Sequence, residues 1–290
     1  MKKLFALTVS LVMLFTLSAC SGRTPSPATG TDAVGSSEPS VSLSDDITVR
    51  VTFPEGYTLI QIAQRLEENG VCSADDFMAL ATDYDYLCSL EYRVLEGVKS
   101  AENVAYYLEG YIFPDTYDFY KGESAEKALS RFLRNAESKI TDEYIARAYE
   151  LGYSIHEIIA LASIIQEEAG DPAEMYKVSS VFHNRLDNPS GPTVGMLQSD
   201  VTIFYVNDNI TDSPYLEGDT SAFAPVYNTY KCKGLPAGPI CNPGIEAIRA
   251  ALYPAETDYF FFFTDKEGQY YYNHDFNVHK NLYNELVKNK

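Results

Sequence analysis

The sequence contains no tryptophan and few positive charges. Its 290 residues include 22 Lys and Arg against 41 Asp and Glu, which gives a formal net charge of −19. This balance, with no basic stripe to offset it, argues against nucleic acid and anionic lipid surfaces as partners. The aromatic residues are 23 Tyr and 15 Phe. Tyrosine rings can stack on a sugar and hydrogen-bond its hydroxyls.

The sequence also lacks the spacings that indicate a bound metal or nucleotide. Its histidines, at positions 156, 183, 274 and 279, do not form the His-x-x-x-His or His-Glu-x-x-His patterns of zinc enzymes. No glycine-rich phosphate loop occurs, and no Ser-His-Asp arrangement can be argued from the sequence. We therefore predict neither a catalytic metal nor a cofactor.

The N-terminus has the pattern of an export signal. Lys2 and Lys3 form a short basic segment, and the apolar run over 4–17 that follows is short for a membrane span. The segment 17–20 resembles the bacterial lipobox, which implies cleavage before Cys20 and lipidation of that cysteine. We expect a lipoprotein on the outer face of the cell membrane. The alternatives are a cysteine that ends a signal by chance and a retained N-terminal transmembrane anchor.

Regular patterns begin at residue 47, after a Ser-, Thr-, Pro- and Gly-rich segment that predicts a flexible tether. Alternating apolar residues predict a strand over 47–51. Thr58 and Gln61 form a capping box for a helix that ends near Gly70, and Ser73 begins another helix. This strand–helix–helix order resembles LysM-type modules, which hold polysaccharides containing N-acetylglucosamine. The segment is therefore either a glycan-binding module or a generic scaffold.

A long apolar segment organises the second half of the chain. Ser154 and Glu157 form a capping box at its start, and Gly170 is the predicted end of the helix. The middle is apolar on almost every side, which predicts a helix inside a domain. Glu167 and Glu168 lie in the last turn, where the helix dipole disfavours each carboxylate by about 0.3–1 kcal/mol. Such violations of local rules are concentrated at functional sites.

Glu168 is predicted to be the more buried of these two carboxylates. A rotation of about 100° per residue places it on the side of Leu161 and Ile165, and places Glu167 on the side of Ser163. An apolar wall and the negative helix end both favour the protonated carboxyl, which is the form that a general acid needs. The alternative is a solvated carboxylate at a frayed helix end.

The remaining pattern predicts a fold of the α+β class. Helices are expected over 124–138, 142–151 and 171–186, a β-hairpin over 259–273, and a closing helix capped by Asn277. Residues 108–117 mix turn residues with aromatic residues, and this composition indicates a buried loop. The long irregular segment 195–244 is typical of a binding loop or a disordered insertion, and its aromatic and amide content favours a binding loop.

Several sequence motifs occur in the order found in the MltG (YceG-like) endolytic murein transglycosylases. They lie at 108–117, 162–168, 181–186, 197–200, 227–230 and 234–244. With the LysM-like start, the resemblance covers about residues 47–290. It implies a lyase that cleaves peptidoglycan glycan strands internally and without water, leaving a 1,6-anhydro-N-acetylmuramic acid end. Glycan strands are then the partner, with peptidoglycan synthesis proteins as further candidates.

The N-terminal pattern and the resemblance together imply four parts in the chain. They are a lipoprotein signal peptide at 1–19, a lipidated cysteine and tether at 20–46, a LysM-like module at 47–108, and a transglycosylase catalytic domain with mixed helices and antiparallel sheet at 109–290.

The family's catalytic glutamate matches Glu168, which the helix geometry also selects. Gln166 stands where some relatives have glutamate, so it is excluded as the acid. The chain departs from the family at Val201, where proline is common, at Tyr270, where histidine is frequent, and at Cys20, which replaces a membrane-spanning helix. The first two departures leave details of the substrate loop open.

One carboxyl can suffice for this chemistry, because the C6 hydroxyl of the sugar is the nucleophile. Glu168 would protonate the glycosidic oxygen and then accept the proton of that hydroxyl as the anhydro ring closes. The candidate glycan contacts are Tyr111, Gln198, Ser199, Asn228 and Tyr230.

Two other functions stay open at this point. A muramidase that uses water would need a second carboxylate, for which Asp200 is the candidate, and would leave reducing ends. A non-catalytic wall-binding lipoprotein would act through the LysM-like module alone.

Beyond Cys20, the cysteines form an even set in an exported chain. Cys72 with Cys88, and Cys232 with Cys241, are the predicted disulfide pairs, the second of which would close the loop between them. Free buried thiols are the alternative.

Overall fold

The structure, a computed structural model, describes residues 47–288. The predicted signal peptide, Cys20 and the tether up to residue 46 lie outside this part. The strands are β1 (Thr48–Thr52), β2 (Thr116–Tyr120), β3 (Phe261–Thr264) and β4 (Tyr270–Asn273). The α-helices are α1 (Leu59–Glu68), α2 (Ala74–Thr82), α3 (Tyr84–Ser89), α4 (Glu96–Lys99), α5 (Ala125–Lys139), α6 (Asp142–Glu150), α7 (Ile155–Glu168), α8 (Pro172–Asp187), α9 (Val201–Tyr205), α10 (Ala224–Tyr227), α11 (Ile245–Leu252) and α12 (Phe276–Tyr283). This mixture confirms the α+β class.

Local capping signals correctly located the first helices. Thr58 and Gln61 form the predicted capping box of α1, and Ser73 accepts a hydrogen bond from the backbone N–H of Asp76 at the start of α2. Between residues 47 and 288, none of the helices combines the length and the apolar character that a bilayer span requires.

The first sheet joins distant segments of the chain. β1 pairs with β2 in antiparallel register, with Val51 opposite Tyr117 and Val49 opposite Phe119. β2 overlaps the predicted buried loop over 108–117, and its partner lies too far away in sequence for local periodicity to identify it. The pairing also crosses the predicted boundary between residues 108 and 109, and the division at that boundary stays a prediction.

Helix α5 packs against this sheet through aromatic side chains. The ring of Phe132 lies 5.1 Å from that of Phe53 and 5.6 Å from that of Phe119, measured between centroids. All three rings are buried, and the edge-to-face contact between Phe53 and Phe132 adds to the stabilisation from apolar burial.

Helix α7 is the central element of the second half. It begins with the predicted capping box and contacts α4, α6, α8, α9 and α11, so its residues up to Ile165 are almost all buried. The helix ends at Glu168 and its C-cap is Ala169 in extended conformation, so Glu167 and Glu168 lie in the last turn as predicted. Gly170 follows the C-cap without the positive φ of a glycine helix cap, and Asp171 and Pro172 begin α8 directly after it.

The C-terminal segment contains the predicted hairpin, in which β3 and β4 pair in antiparallel register. The closing helix α12 is capped two residues earlier than predicted. Asp275, rather than Asn277, accepts the backbone N–H groups of Asn277 and Val278. Aspartate and asparagine are both good N-caps, so the sequence alone did not separate the two positions.

The segment over 195–244 is largely irregular, as predicted. Its short helices are α9 and α10, and Val206–Ile210 adds a π-helical turn after α9. A backbone hydrogen bond of 3.1 Å from Gln198 to Thr229 brings the motif at 197–200 beside the motif at 227–230. Both motifs thereby approach the end of α7.

Candidate active site

The carboxyl of Glu168 is the centre of the candidate site. Glu168 is the last residue of α7, and its Oε1 accepts a hydrogen bond of 2.6 Å from the hydroxyl of Ser199. Its side chain is partly buried, whereas that of Glu167 is exposed. The helix rotation therefore correctly predicted which of the two carboxylates faces the protein.

Ser199 is fixed by buried hydroxyl groups. Its backbone N–H donates to Oγ1 of Thr229 at 2.9 Å, and its carbonyl accepts from Oγ1 of Thr202 at 2.8 Å. Only 2% of Ser199 is exposed. Its hydroxyl is consequently held against Glu168, so its role is to position that carboxyl, and the predicted direct glycan contact stays a prediction.

A buried arginine lies near the same carboxyl. Arg185 on α8 donates to the carbonyls of Phe260, at 2.7 Å, and of Leu197. No ion pair between Arg185 and Glu168 occurs in the part of the chain that the structure describes. The sequence alone assigned no role to Arg185, although this residue lies near the end of α8 within the motif at 181–186.

Burial raises the pKa of Glu168, and the surrounding groups act in both directions. The hydrogen bond from Ser199 and the charge of Arg185 lower this pKa, whereas the charges of Asp200 and Glu167 raise it. The net direction is upward. Burial also lowers the pKa of Arg185 to about 10, with Glu168 acting against that change. A carboxyl with a raised pKa can hold a proton at higher pH than an exposed one.

Asp200 and Tyr230 flank the carboxyl on the side of α9. The hydroxyl of Tyr230 donates to Oδ1 of Asp200 at 2.8 Å, and 44% of the Tyr230 side chain is exposed. Burial and the neighbouring Asp200 raise the pKa of Tyr230 to about 12. Asn228 supports this pair, because its Oδ1 accepts the backbone N–H of Tyr230 at 2.9 Å. Tyr230 is accessible to a ligand, whereas Asn228 uses its carbonyl locally.

Gln198 precedes Ser199 in a backbone conformation that is uncommon for its residue type. Its φ is +53°, in the left-handed region. Non-glycine residues in this region store strain and cluster at functional sites. The side chain of Gln198 is partly buried, and its predicted glycan contact stays a prediction.

Tyr270 contacts the backbone of the catalytic candidate. Tyr270 is the first residue of β4, and its hydroxyl donates to the carbonyl of Glu168 at 2.8 Å. This carbonyl is one of those left without a partner at a helix C-terminus. Tyr270 therefore fixes the end of α7, a role that the sequence did not indicate.

The loop over 108–117 is structural in this protein. Tyr111 is only 1% exposed, and its hydroxyl hydrogen-bonds Nδ1 of His156 at 2.8 Å. Burial raises the pKa of Tyr111 and lowers that of His156. The predicted contact between Tyr111 and glycan is therefore corrected, because its ring and hydroxyl are packed against α7.

Glu109 in the same loop is a fully buried carboxylate that sequence reasoning missed. Its oxygens accept hydrogen bonds from the backbone N–H of Leu59, at 3.0 Å, from the hydroxyl of Tyr205, at 3.0 Å, and from Nδ2 of Asn242, at 2.9 Å. Burial raises its pKa to about 8, with these bonds acting in the opposite direction. Glu109 thus joins α1, α9 and the loop before α11.

The four cysteines within residues 47–288 are free in the structure. Cys241 is buried and donates from Sγ to the carbonyl of Ser163, and Cys88 is exposed, whereas Cys72 and Cys232 are partly buried. Neither predicted pair, Cys72–Cys88 or Cys232–Cys241, is formed in it. The disulfide state in the exported protein stays a prediction.

No three His, Cys, Asp or Glu side chains in the described part of the chain are arranged to hold a metal ion. The candidate site itself contains two carboxyls and one buried guanidinium. These groups can transfer a proton and stabilise charge, so the arrangement suits general acid chemistry.

Comparisons with known proteins identify the family of this chain. A family model described as the YceG-like family matches residues 35–285. A Bacillus subtilis protein named endolytic murein transglycosylase is 29% identical over 244 residues, which cover 83% of this chain and 66% of that protein. A Streptococcus pneumoniae protein of the same name is 29% identical over 271 residues, covering 87% of this chain and 47% of that protein. This chain thus spans between about half and two thirds of these relatives.

A solved structure shows the same fold. A yceG-like protein from Listeria monocytogenes superimposes with a TM-score of 0.64 at 29% identity, covering 80% of this chain and 75% of that one.

Proposed function

Because the chain belongs to the YceG-like family, we propose that it is an endolytic murein transglycosylase. It cleaves the bond between N-acetylmuramic acid and N-acetylglucosamine within glycan strands, leaves 1,6-anhydro ends, and acts in cell-wall assembly or remodelling. The names of its relatives support the activity. The observation that carries the proposal is the partly buried carboxyl of Glu168, held by Ser199 at the end of α7.

Glu168 acts first as the acid. Burial raises its pKa, which favours the protonated form that a general acid needs in order to protonate the glycosidic oxygen. Ser199 bonds Oε1, and no hydrogen bond to Oε2 occurs among residues 47–288. Oε2 is therefore the oxygen that faces the leaving group.

Glu168 acts next as the base. After bond cleavage its carboxylate accepts the proton of the C6 hydroxyl, while the C6 oxygen bonds to C1 and closes the anhydro ring. The nucleophile belongs to the same sugar, so its attack is intramolecular and needs no bound water. Arg185 and Ser199 stabilise the carboxylate that exists between the two proton transfers.

The test is the Glu168→Gln variant on purified peptidoglycan, with products identified by mass spectrometry. The variant should lose release of anhydro-ended fragments by about a thousandfold, because a general acid contributes on the order of 10²–10⁴ in rate. Glu150→Gln, which alters an exposed carboxyl on α6, is the matched control and should retain activity. Wild-type product levels from Glu168→Gln would refute the mechanism.

A water-using muramidase is the second candidate. The charge of Asp200 acts on Glu168, so a second carboxylate is present near the acid, as hydrolysis requires. The same product analysis separates the two reactions, because a hydrolase leaves reducing ends and a lyase leaves anhydro ends. If neither product is formed while glycan is still bound, the chain is a non-catalytic wall-binding protein.

The LysM-like module and the lipid anchor are further parts of this proposal. The order β1–α1–α2 supports the module, and the segment ending at Cys20 supports the anchor. Globomycin, which blocks lipoprotein signal cleavage, should increase the apparent size of the protein in cells. An unchanged size would refute lipidation at Cys20.

A further inference from the structure

A groove lined by the sequence neighbours of Glu168 and Asp200 is not part of the proposed chemistry. It has a volume of 390 Å³ and runs between α1 and α9, within the range of about 300–1,000 Å³ that is usual for small-molecule sites. Glu167, the neighbour of Glu168, lines one end, and Val201, the neighbour of Asp200, lines another part of the wall. The lining therefore includes the sequence neighbours of two candidate-site residues, but not Glu168 or Asp200 themselves.

The lining combines an exposed aromatic ring with amides. Phe204 on α9 is 58% exposed, although an apolar ring of this size is usually covered. Phe204 follows Asp200, the N-cap residue of α9, by four positions, so both lie on the same side of this helix. Gln64 on α1 and Asn209 line the groove as well. The side-chain amide of Gln64, in α1, makes no hydrogen bond within residues 47–288, so its donors and acceptor are available to a ligand.

The charges of the groove restrict its ligand. Glu167 and Asp208 line it, and no lysine or arginine does. A ligand with a carboxylate or phosphate would be repelled, whereas an uncharged sugar would not. The ring of Phe204 suits the C–H face of a sugar, and the amides suit an N-acetyl group with its one donor and one acceptor.

The two walls are held together from behind by Glu109. Its carboxylate accepts from the backbone N–H of Leu59 on α1 and from the hydroxyl of Tyr205 on α9. The groove is thus formed before any ligand binds. A preformed site avoids the cost of ordering its walls on binding.

We infer that this groove is a subsite for an uncharged N-acetylglucosamine unit of the glycan strand, outside the pair of sugars whose bond is cleaved. The inference rests on the proposed function for the nature of the strand. It assigns Phe204 as the stacking residue and Gln64 as a hydrogen-bonding residue for the N-acetyl group.

Binding is tested without catalysis, in the full chain carrying Glu168→Gln. The probe is a fluorescently labelled glycan strand freed of its peptides by an amidase, and binding is followed by anisotropy. Adding Phe204→Ala or Gln64→Ala should each weaken binding about tenfold, which corresponds to about 1.4 kcal/mol. Phe276→Ala, at a ring that is 53% exposed on α12, is the matched control and should not change binding. Phe204→Tyr should preserve binding, since it keeps the ring.

Unchanged binding in both Phe204→Ala and Gln64→Ala overturns the inference, as does a Glu168→Gln protein that binds no strand at all. Circular dichroism must show the same unfolding temperature for each variant. If Phe204→Ala unfolds, the other two variants decide the result. Weaker binding by Gln64→Ala together with unchanged binding by Phe204→Tyr supports the subsite, and unchanged binding by Gln64→Ala overturns it.

Kinetics in the active protein provide the second readout. Phe204→Ala should lower kcat/KM on long strands about tenfold and leave kcat/KM on the shortest cleavable strand unchanged. An equal loss at all strand lengths would overturn the subsite. Because binding is measured without turnover, a failure of the acid role of Glu168 would be distinguishable from a failure of this groove.

Discussion

The hydroxyl of Ser199 and the carboxyl of Glu168 are joined by a hydrogen bond of 2.6 Å. Because a hydroxyl donor favours the charged form of a carboxyl, this bond opposes the effect of burial on the pKa of Glu168. The acid is thereby kept able to release its proton as well as to hold it, which both steps of the proposed reaction require.

Replacing Ser199 by alanine should move the pH dependence of the reaction upward. Loss of the donor raises the pKa of Glu168, so the protonated acid persists to higher pH, and the alkaline limb of kcat/KM should shift upward by about one pH unit or less. The maximal rate should fall about tenfold, because the carboxyl is less well positioned. Ser180→Ala, at an equally buried serine on α8, is the control. A downward shift in Ser199→Ala would contradict the assigned role.

Tyr270→Phe should destabilise the C-terminal end of α7 while keeping the packing of the aromatic ring. It removes one hydrogen bond to the carbonyl of Glu168, which is worth about 0.5–1.5 kcal/mol of unfolding free energy. We also expect kcat to fall by roughly threefold to tenfold, because the carboxyl loses part of its support. Urea unfolding and product release measure the two effects. Tyr271→Phe, one residue along β4, should keep full activity; equal behaviour of the two variants would contradict this account.

Gly110→Ala should destabilise the fold strongly for reasons of space. Gly110 has a φ of +87°, and a Cβ there would lie 2.6 Å from Pro239 and 2.7 Å from Ile159. Gly122 has a φ of +73° but open space around it. Gly122→Ala should therefore cost about 1 kcal/mol of unfolding free energy and Gly110→Ala about 3 kcal/mol or more. Equal costs in urea unfolding would show that the close packing of this loop is unimportant.

Glu109 should make stability depend on pH. Its pKa rises from 4.5 to about 8 on folding, so the folded state binds the proton more tightly. The corresponding stability is fully present below about pH 4.5 and is lost as the pH rises towards 8, by at most about 1.4 kcal/mol per pH unit. Glu109→Gln does not titrate, so the advantage of the wild type over this variant should shrink across that window.

Urea unfolding at several pH values measures this difference. Glu150→Gln, at an exposed carboxyl, should run parallel to the wild type. A Glu109→Gln curve that is also parallel would remove Glu109 as the source of the pH dependence.

The sequence predicted those parts of the fold that local interactions determine. The capping boxes at Thr58 and Ser154 involve residues three positions apart, so they are visible in the sequence and are present in the structure. Strand β2 was missed, because its partner β1 is far away in the chain. The end of α7 at Glu168 was predicted, although Gly170 lacks the positive φ of a glycine cap.

The candidate site was predictable only at its centre. Glu168 follows from helix rotation and from a broken dipole rule, both of which are local. The roles of Arg185 and Tyr270 depend on contacts made by α8 and β4 after folding, and no periodicity encodes them. Tyr111 shows the converse error, since an aromatic residue in a turn-rich segment is equally consistent with a core position and with a sugar-binding surface.

The pairing of β1 with β2 restricts how this protein can be dissected. A shortened chain that starts after residue 108 would keep Thr116–Tyr120 but lose the strand that covers it. The backbone N–H and C=O groups of β2 that pair with β1 would lose their partners. They could then pair with the same strand of another molecule. Such a fragment should self-associate in solution, whatever its catalytic competence, so fragments for enzymology need to retain both strands.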